Sequence, residues 1–588
     1  MPGDAGAVMG NTRVRVAPGD NTTWGLHRVP LPASVPPGAT LTLVYPITAP
    51  AAPGSYAFQW RMVREGVAWY GALTPNVAVT VTPIPPPDID FQRFTYDANS
   101  QVVLAQTGRR MAGIETLTAR TSLAYDELGR VRAVHGNAGQ RIVTTYDDNG
   151  RPVTTTDVAG RVTTHRYDAL GRVVESIDAA GGRTHFGYDA GDRVTRITDP
   201  RGKATTYVHD GFGQLWAQHS PDSGVTTMQY DAAGLRTKLT RGDGTSLGYG
   251  YDAVGRLVWS GTDTQTRQYS YDWCDGGKGR LCGTSVARHG TTANWTHYAY
   301  TPFGAPMVKR ESVYGSDDWT RYTVDGMDRI TGIAYPSGLQ VRHAYENGHV
   351  TGIYANFGTG EVPVATDIAY QPFGAATGWS YGNGVTRAID RDLDGRITAI
   401  SARDAASVKQ SLTYQHNALD QVTRITNGLE AALTQSYGYD ALDRLTTLNA
   451  SGYAYDAVGN RIGHHDAGTP TTYDVDPASN RLRSRSGLFN NTYTTSVNGN
   501  VTAYTGGDGI LHTVAYDAFN RLTTHARAGV QTHYEINALD QRVGKWTAAT
   551  GGRRFISDGH RLLAGSTSYV VGVPASWWPM RLPTASYA

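Results

Sequence analysis

The chain has 588 residues, far more than one ordinary core accommodates, so it is either several domains or one architecture that grows by repetition. Its 69 Gly and 35 Tyr, with Thr throughout and few Ala- or Leu-rich stretches, select strands joined by many tight turns. A near balance of 53 basic and 51 acidic residues excludes the strong field that nucleic acid or an anionic membrane would need, and two cysteines exclude a disulfide framework or a Cys-rich metal site.

Met1 to Gly10 shows no basic segment followed by an apolar one, so no signal peptide is visible, and no run of 18 apolar residues predicts a transmembrane segment. Between residues 24 and 82, Leu41, Leu43, Tyr45 and Ile47 alternate, as do Tyr56, Phe58, Trp60 and Met62, then Val77, Val79 and Val81. This spacing predicts a small β-sandwich over residues 1–82, followed by a stiff Pro-rich linker over 83–92 that contains Pro83-Ile-Pro-Pro-Pro87. Thr23-Trp24-Gly25, Pro53-Gly54, Trp60-Arg61 and Trp69-Tyr-Gly71 resemble the immunoglobulin-like four-tryptophan domain that accompanies autophagy receptors. Residues 1–20 supply few strand formers, and no Trp precedes Trp24, so the expectation is a truncated copy.

The dominant signal is an internal repeat. Tyr125, Tyr146, Tyr167, Tyr188, Tyr230 and Tyr251 fall on a 21-residue grid, with His209 at the one grid position that lacks Tyr. Asp follows each aromatic: Asp126, Asp147, Asp168 and Asp252 among them. Gly stands four residues after the aromatic, as in Gly129, Gly150, Gly171 and Gly255, and Arg five after, as in Arg130, Arg151, Arg172 and Arg256. Asp at the first and Gly at the fourth position is type I turn chemistry, the carboxylate accepting from amides ahead of it and Gly taking positive φ. A second bend recurs half a unit later in Asp157-Val-Ala-Gly160, Asp178-Ala-Ala-Gly181 and Asp199-Pro-Arg-Gly202. One repeat is therefore two turns and two strands, and since no helical period intervenes the strands must be antiparallel. Past Tyr271 the grid loosens but the motif returns at Tyr439, Tyr455, Tyr473 and Tyr516, with degenerate copies such as Tyr414 to Asp420 and Tyr534 to Asp540.

The string Tyr167-Asp-Ala-Leu-Gly-Arg172 resembles the signature of the YD/RHS repeat family, which includes bacterial Rhs polymorphic toxins, the cocoon-forming subunits of insecticidal toxin complexes and the extracellular shell of teneurins. The resemblance covers roughly Phe91 to Ala564. It implies an all-β fold, an antiparallel hairpin array over residues 93–565 that spirals into a partial hollow shell, and a secreted or cell-surface location. Toxin members close their shell with a core segment and carry a C-terminal effector. Nothing of that kind follows Arg561-Leu-Leu-Ala564, and residues 566–588 leave the repeat pattern, so the expectation is a shell without plug or toxin.

Candidate chemistry is sparse. The repeat Asp residues are in turn positions, which makes them structural before they are paired carboxylates or calcium ligands. The Arg after each Gly is expected to pair with a neighbouring Asp or to stack on a Tyr one repeat away. Cys274 and Cys282 flank a Gly-rich loop and are close enough for a bridge if the strands return side by side, two reduced thiols being the alternative. His464-His465-Asp466 is the best metal-like cluster, yet adjacent strand residues face opposite ways. There is no Gly-x-Ser-x-Gly elbow and no phosphate loop. The Tyr rows are wall packing first and a carbohydrate platform second. The reading is a non-enzymatic shell or scaffold without cofactor, whose partner is a toxin or effector cargo; the alternative is a surface adhesin that binds carbohydrate.

Overall fold

A computed structural model describes the chain from residue 89 to 549, apart from 467, 468 and 488, with shorter segments between 7 and 81 and between 551 and 569. It divides into two compact units, Met1–Asp90 with Arg109–Thr116, and Phe91–Gly108 with Leu117–Ala588.

In the first unit, strand Ala7–Asn11 lies between Arg28–Pro30 and Trp60–Arg64, with Ala68–Tyr70 outside the latter. A second sheet pairs Gly54–Phe58 with Val77–Val81. Trp60 is buried, its ring edge-on to Phe58 and its amide donating to Thr74 Oγ1 at 2.8 Å. One expectation is corrected here. The opening residues do supply a strand, because Ala7–Asn11 is bonded on both sides and the ladders make up for weak propensity. Of the alternation from Leu41 to Ile47, residues 41, 43 and 45 lie outside the described residues, and 42, 44, 46 and 47 have no strand pairing. Trp24, the linker residues 83–87 and the tail after residue 569 lie outside the described residues.

The second unit is one long ribbon. Arg141–Tyr146 pairs antiparallel with Pro152–Asp157, that strand with Val162–Tyr167, and so on through Val173–Ile177 and Arg183–Tyr188, each strand beside its neighbours in sequence. The same order continues to Gly551–Asp558 and Arg561–Gly565. The one helical turn among the described residues is Ala431–Leu433. Strands such as Val162–Tyr167 and Val501–Thr505 are half-buried along most of their length, with neither face sealed by a second layer. The sheet is therefore a wall one strand thick over much of its length. An exception spans residues 335–400, where Val341, Ile353, Ala365, Trp379, Ile389 and Ile400 bury one face together, which requires the sheet to curl upon itself there.

The ribbon also returns to itself edge to edge. Turns 241 to 282 residues apart in sequence are hydrogen-bonded, from Asn294 with Glu535 to Arg161 with Asp443. Between Asn137 and Asp394, which meet, the strands from Arg141–Tyr146 to Thr386–Arg391 number 23. At a strand spacing of about 4.8 Å this is a circuit of roughly 110 Å around, about 35 Å across between backbones. That leaves a bore of about 25 Å once inward side chains are allowed for.

Candidate functional site

Each repeat is built around one turn latch. In the turn that starts at Asp168, the Gly171 amide donates to Asp168 O at 3.0 Å and the Asp168 amide to Arg172 O at 2.9 Å, closing the hairpin. Asp168 Oδ1 accepts from the amides of Leu170 and Arg172, and its Oδ2 from Arg172 Nε at 2.8 Å. Gly171 has φ +85°, and the register slips between Arg166 and Tyr167, so the turn ends in a glycine bulge. The same set recurs at Asp126 with Gly129 and Arg130, at Asp147 with Gly150 and Arg151, and at Asp252 with Gly255 and Arg256.

Two contacts join the Arg-bearing repeats at Asp126, Asp147, Asp168 and Asp252 to the next. Arg130, Arg151, Arg172 and Arg256 lie over the rings of Tyr146, Tyr167, Tyr188 and Tyr271, 4.4–4.8 Å from their centroids, so each guanidinium holds its own Asp and the following Tyr at once. Each Tyr hydroxyl then donates backward across the hairpin: Tyr146 to Val131 O, Tyr167 to Pro152 O and Tyr251 to Arg236 O, all at 2.8–2.9 Å, and Tyr125 to Val102 O at 2.9 Å. The Tyr-Asp-x-x-Gly-Arg string is thus a clamp between successive hairpins.

Replacing Gly171 with Val is expected to cost about 1–3 kcal/mol, since a β-branched residue cannot rest at positive φ. A urea midpoint no lower than the parent's refutes the turn assignment.

The latch carboxylates titrate below their ordinary 3.8. Asp168 is held down first by the Arg172 amide and then by its guanidinium, Asp126 first by the Arg130 amide, and Asp147 first by the Arg151 side chain. A depressed folded value means the contribution is full above the unfolded value and is lost as pH falls through the folded one. The urea midpoint is therefore expected to change little between neutral pH and about pH 5, then to fall below about pH 4. Urea titrations followed by far-UV circular dichroism across that range test this, and a midpoint that rises below pH 4 would exclude the latch as a source of stability.

The seam between circuits is a second site, and it brings together residues from distant repeats. One edge carries the second bends of the first circuit, the other the Tyr-Asp turns of the second. Asn137 donates to Asp394, Gln140 to Asp420 at 2.7 Å, Arg161 to Asp443 at 2.8 Å and Arg267 to Asp540 at 2.8 Å. Arg201 reaches Ser479 O, Asn480 and Asp476 O, and Arg241 reaches Ala518 O. At its far end Glu535 is buried and accepts from Arg288 at 2.7 Å and Asn294 at 2.5 Å. In these contacts the donors stand on the bend side and the acceptors on the turn side, whereas Asp199, Asp222 and Asp243 of the bends accept from Asn480 and Asn498 of the turns. The local motif does not reveal these partners, but the degenerate turns carry a trace of them. Asp420, Asp443 and Asp540 hold the fourth position, where the first circuit usually has Gly, each with φ between 60° and 64°. Asp tolerates that conformation and adds a carboxylate that reaches across the seam.

Cys274 and Cys282 form a disulfide, with Cα atoms 5.5 Å apart, that closes the loop between Gln265–Tyr271 and Leu281–Arg288. His464 stacks on Tyr453, 4.9 Å between ring centroids, and stands 3.5 Å from Asp466, while Asp466 also accepts from Ser451. Among the described residues no group of three or more His, Cys, Asp or Glu side chains is placed to hold a metal, and no helix is long and apolar enough to cross a membrane.

Residues 92–275 match the family model described as the teneurin YD-shell. No curated protein sequence matches the chain. Among solved structures, that of TcdB2-TccC3-TEV superposes with a TM-score of 0.60 at 15% identity, covering 80% of this chain and 31% of its own. The Photorhabdus luminescens Tc holotoxin pore in a TccC3 mutant form gives 0.46 at 15% identity, over 79% of this chain and 32% of its own. The chain thus spans about a third of the length of these structures' chains. With the latch repeated along the ribbon, residues 92–275 are similar to the teneurin YD-shell, and four-fifths of the chain shares the β-shell fold of the TcdB2-TccC3-TEV structure.

Proposed function

We propose that this chain is a non-enzymatic wall that encloses a polypeptide, in the way that toxin-complex shells house an effector, and that it acts outside the cell or at its surface. The observation that carries this is the seam: a ribbon bonded to itself after 23 strands surrounds a space, and no other feature of the fold needs such a seam. A clear width of about 25 Å suits an unfolded chain or a very small domain. On this reading residues 1–82 are a small immunoglobulin-like sandwich, 83–92 a linker, 93–565 the wall and 566–588 a tail. The latch Asp, Gly, Arg and Tyr residues are structural in this reading, and no side chain is assigned to catalysis, cofactor or metal. The test appends an unstructured, protease-sensitive peptide after Ala588 and compares its cleavage in the intact chain and in a seam-opened variant. Protection in the first and cutting in the second supports enclosure; equal rates refute it.

One observation favours the second reading, a carbohydrate-binding surface. Trp259, Gln268, Ser285 and Trp295 follow one another as direct cross-strand partners, so they share a face, and Arg310 lies between the rings of Trp295 and Trp319 at 4.9 and 4.8 Å. A groove of about 430 Å³ there is lined by Trp259, Gln268, Ser285 and His297. Aromatic faces beside amide and hydroxyl groups suit a sugar ring. Glycan-array binding abolished by Trp259→Ala would favour this reading, and no binding would leave the wall.

A further inference from the structure

The ribbon has two edges, and only part of each lies in the seam. The Tyr-Asp turns from Asp392 onward are seated on the bends of the preceding circuit; those from Asp126 to Gln371 form a free rim. The third residue of each turn reports the difference. On the free rim Leu128, Leu170, Phe212 and Val254 are 72% to 93% exposed, and Phe303, Met327 and Phe373 at the same position are also exposed. On the seated rim Leu419, Leu442 and Phe519 occupy that position and are partly covered, the last with Arg267 of the other circuit over its ring at 3.6 Å. The third-position side chain is thus far more covered where a neighbouring ribbon edge exists, Leu539 of the seated turn Asn537–Asp540 being 36% exposed, than where none does.

The bare rim has a pattern of its own. Along the 21-residue grid its third positions read Leu128, Asn149, Leu170, Gly191, Phe212, Ala233 and Val254. Large apolar residues alternate with smaller ones, so each knob stands next to a gap. Successive turns are two strands apart, which sets knobs roughly 19 Å from one another with a gap about 10 Å away. Such an edge is complementary to itself when shifted by one repeat. Asp126, Asp168 and Asp252 are paired within their turns with Arg130, Arg172 and Arg256, while Asp210 and Asp231 accept from the backbone amides of Gln214 and Leu235.

The other free edge does not fit this rim. Its bends, among them 335–339, 356–360, 381–385, 404–407, 427–434 and 506–510, contain no Lys or Arg, whereas the bends of the seam reach across with Arg161, Arg201 and Arg241. Head-to-tail stacking of copies is therefore disfavoured.

We propose that the free Tyr-Asp rim is a dimer interface, on which a second copy of this chain seats its own rim about a two-fold axis. A spiral edge is a ramp, and a two-fold axis perpendicular to the spiral maps a ramp of one hand onto itself, so the rims stay in register along their length. The exposed tips amount to roughly 900 Å² per copy, and twice that falls within the range of stable interfaces. The two bores then join end to end.

Sedimentation velocity on the full chain at micromolar concentration tests this, together with a Leu170→Asp/Phe212→Asp variant. Asp is compatible with this turn position, since Asp394 holds it in a seated turn. The expected result is a dimer of 63.4 kDa chains for the parent and a monomer for the variant, with superimposable circular dichroism melts. A Leu429→Asp variant, on the opposite edge, remains dimeric. A monomeric parent overturns the proposal, and so does a dimer that survives the double substitution or is lost in Leu429→Asp.

Discussion

Truncating Glu535 to Ala is expected to open the end of the seam, at a cost of about 2–3 kcal/mol. Its carboxylate is buried and is the acceptor for both Arg288 and Asn294, which come from strands more than 240 residues earlier. Without it a partly buried guanidinium keeps its desolvation cost and loses this acceptor, and the buried Asn294 amide is left with only its longer bond to Ile536 O at 3.3 Å. The site is not fully dry, since the Arg288 side chain is about a third exposed, and this keeps the figure at the lower end for a broken ion pair. In a repeat array the loss is read locally, as faster amide hydrogen exchange in both Leu281–Arg288 and Val530–Ile536. Adding Arg288→Ala should restore part of the protection, because the orphaned charge is then gone. Faster exchange in one strand alone would mean that the two circuits are not coupled there.

The second large effect is expected at a glycine. Gly499 has φ +86°, and a methyl group on it would lie 2.4 Å from the Asp222 carbonyl oxygen, backbone of the other circuit. Gly202 has nearly the same conformation, φ +79°, with nothing within 4 Å of the same methyl. Gly499→Ala and Gly202→Ala share the cost of placing a side chain at positive φ, about 1 kcal/mol. Only the former must also push the circuits apart. Its urea midpoint should be clearly the lower of the two, and its strands Gly224–Tyr230 and Asn491–Thr495 should lose exchange protection together. Equal midpoints would indicate that the ribbon edges do not touch at this point.

Both effects arise in the part of the molecule that was least legible in the sequence. The turns could be read because their chemistry is local: Asp168 to Arg172 contains every donor and acceptor that closes the hairpin, and the 21-residue grid repeats them. Which circuit faces which could not be read, since it depends on how many strands fit around the shell, a property of twist and curvature summed over more than twenty strands. The Asp that replaces Gly at 420, 443 and 540 was visible as a degenerate motif, but its meaning needs the partner residues Gln140, Arg161 and Arg267. In the first unit the opening residues suggested no strand. Pairing decided otherwise, because Ala7–Asn11 is bonded to a neighbour on each side.

The most direct test of the spiral joins its circuits covalently. Asp243 and Asn498 are 255 residues apart in sequence, the first exposed and the second half-buried, and the Asn498 side-chain amide donates to Asp243 at 2.6 Å. With Asp243→Cys and Asn498→Cys together, a short bis-maleimide reagent should link the two in the folded chain and give a species of altered mobility on a denaturing gel. Each single variant and the urea-unfolded double variant should give none. If the folded double variant does not cross-link while both thiols react with a monofunctional maleimide, the circuits are not in contact and the wall does not enclose a space.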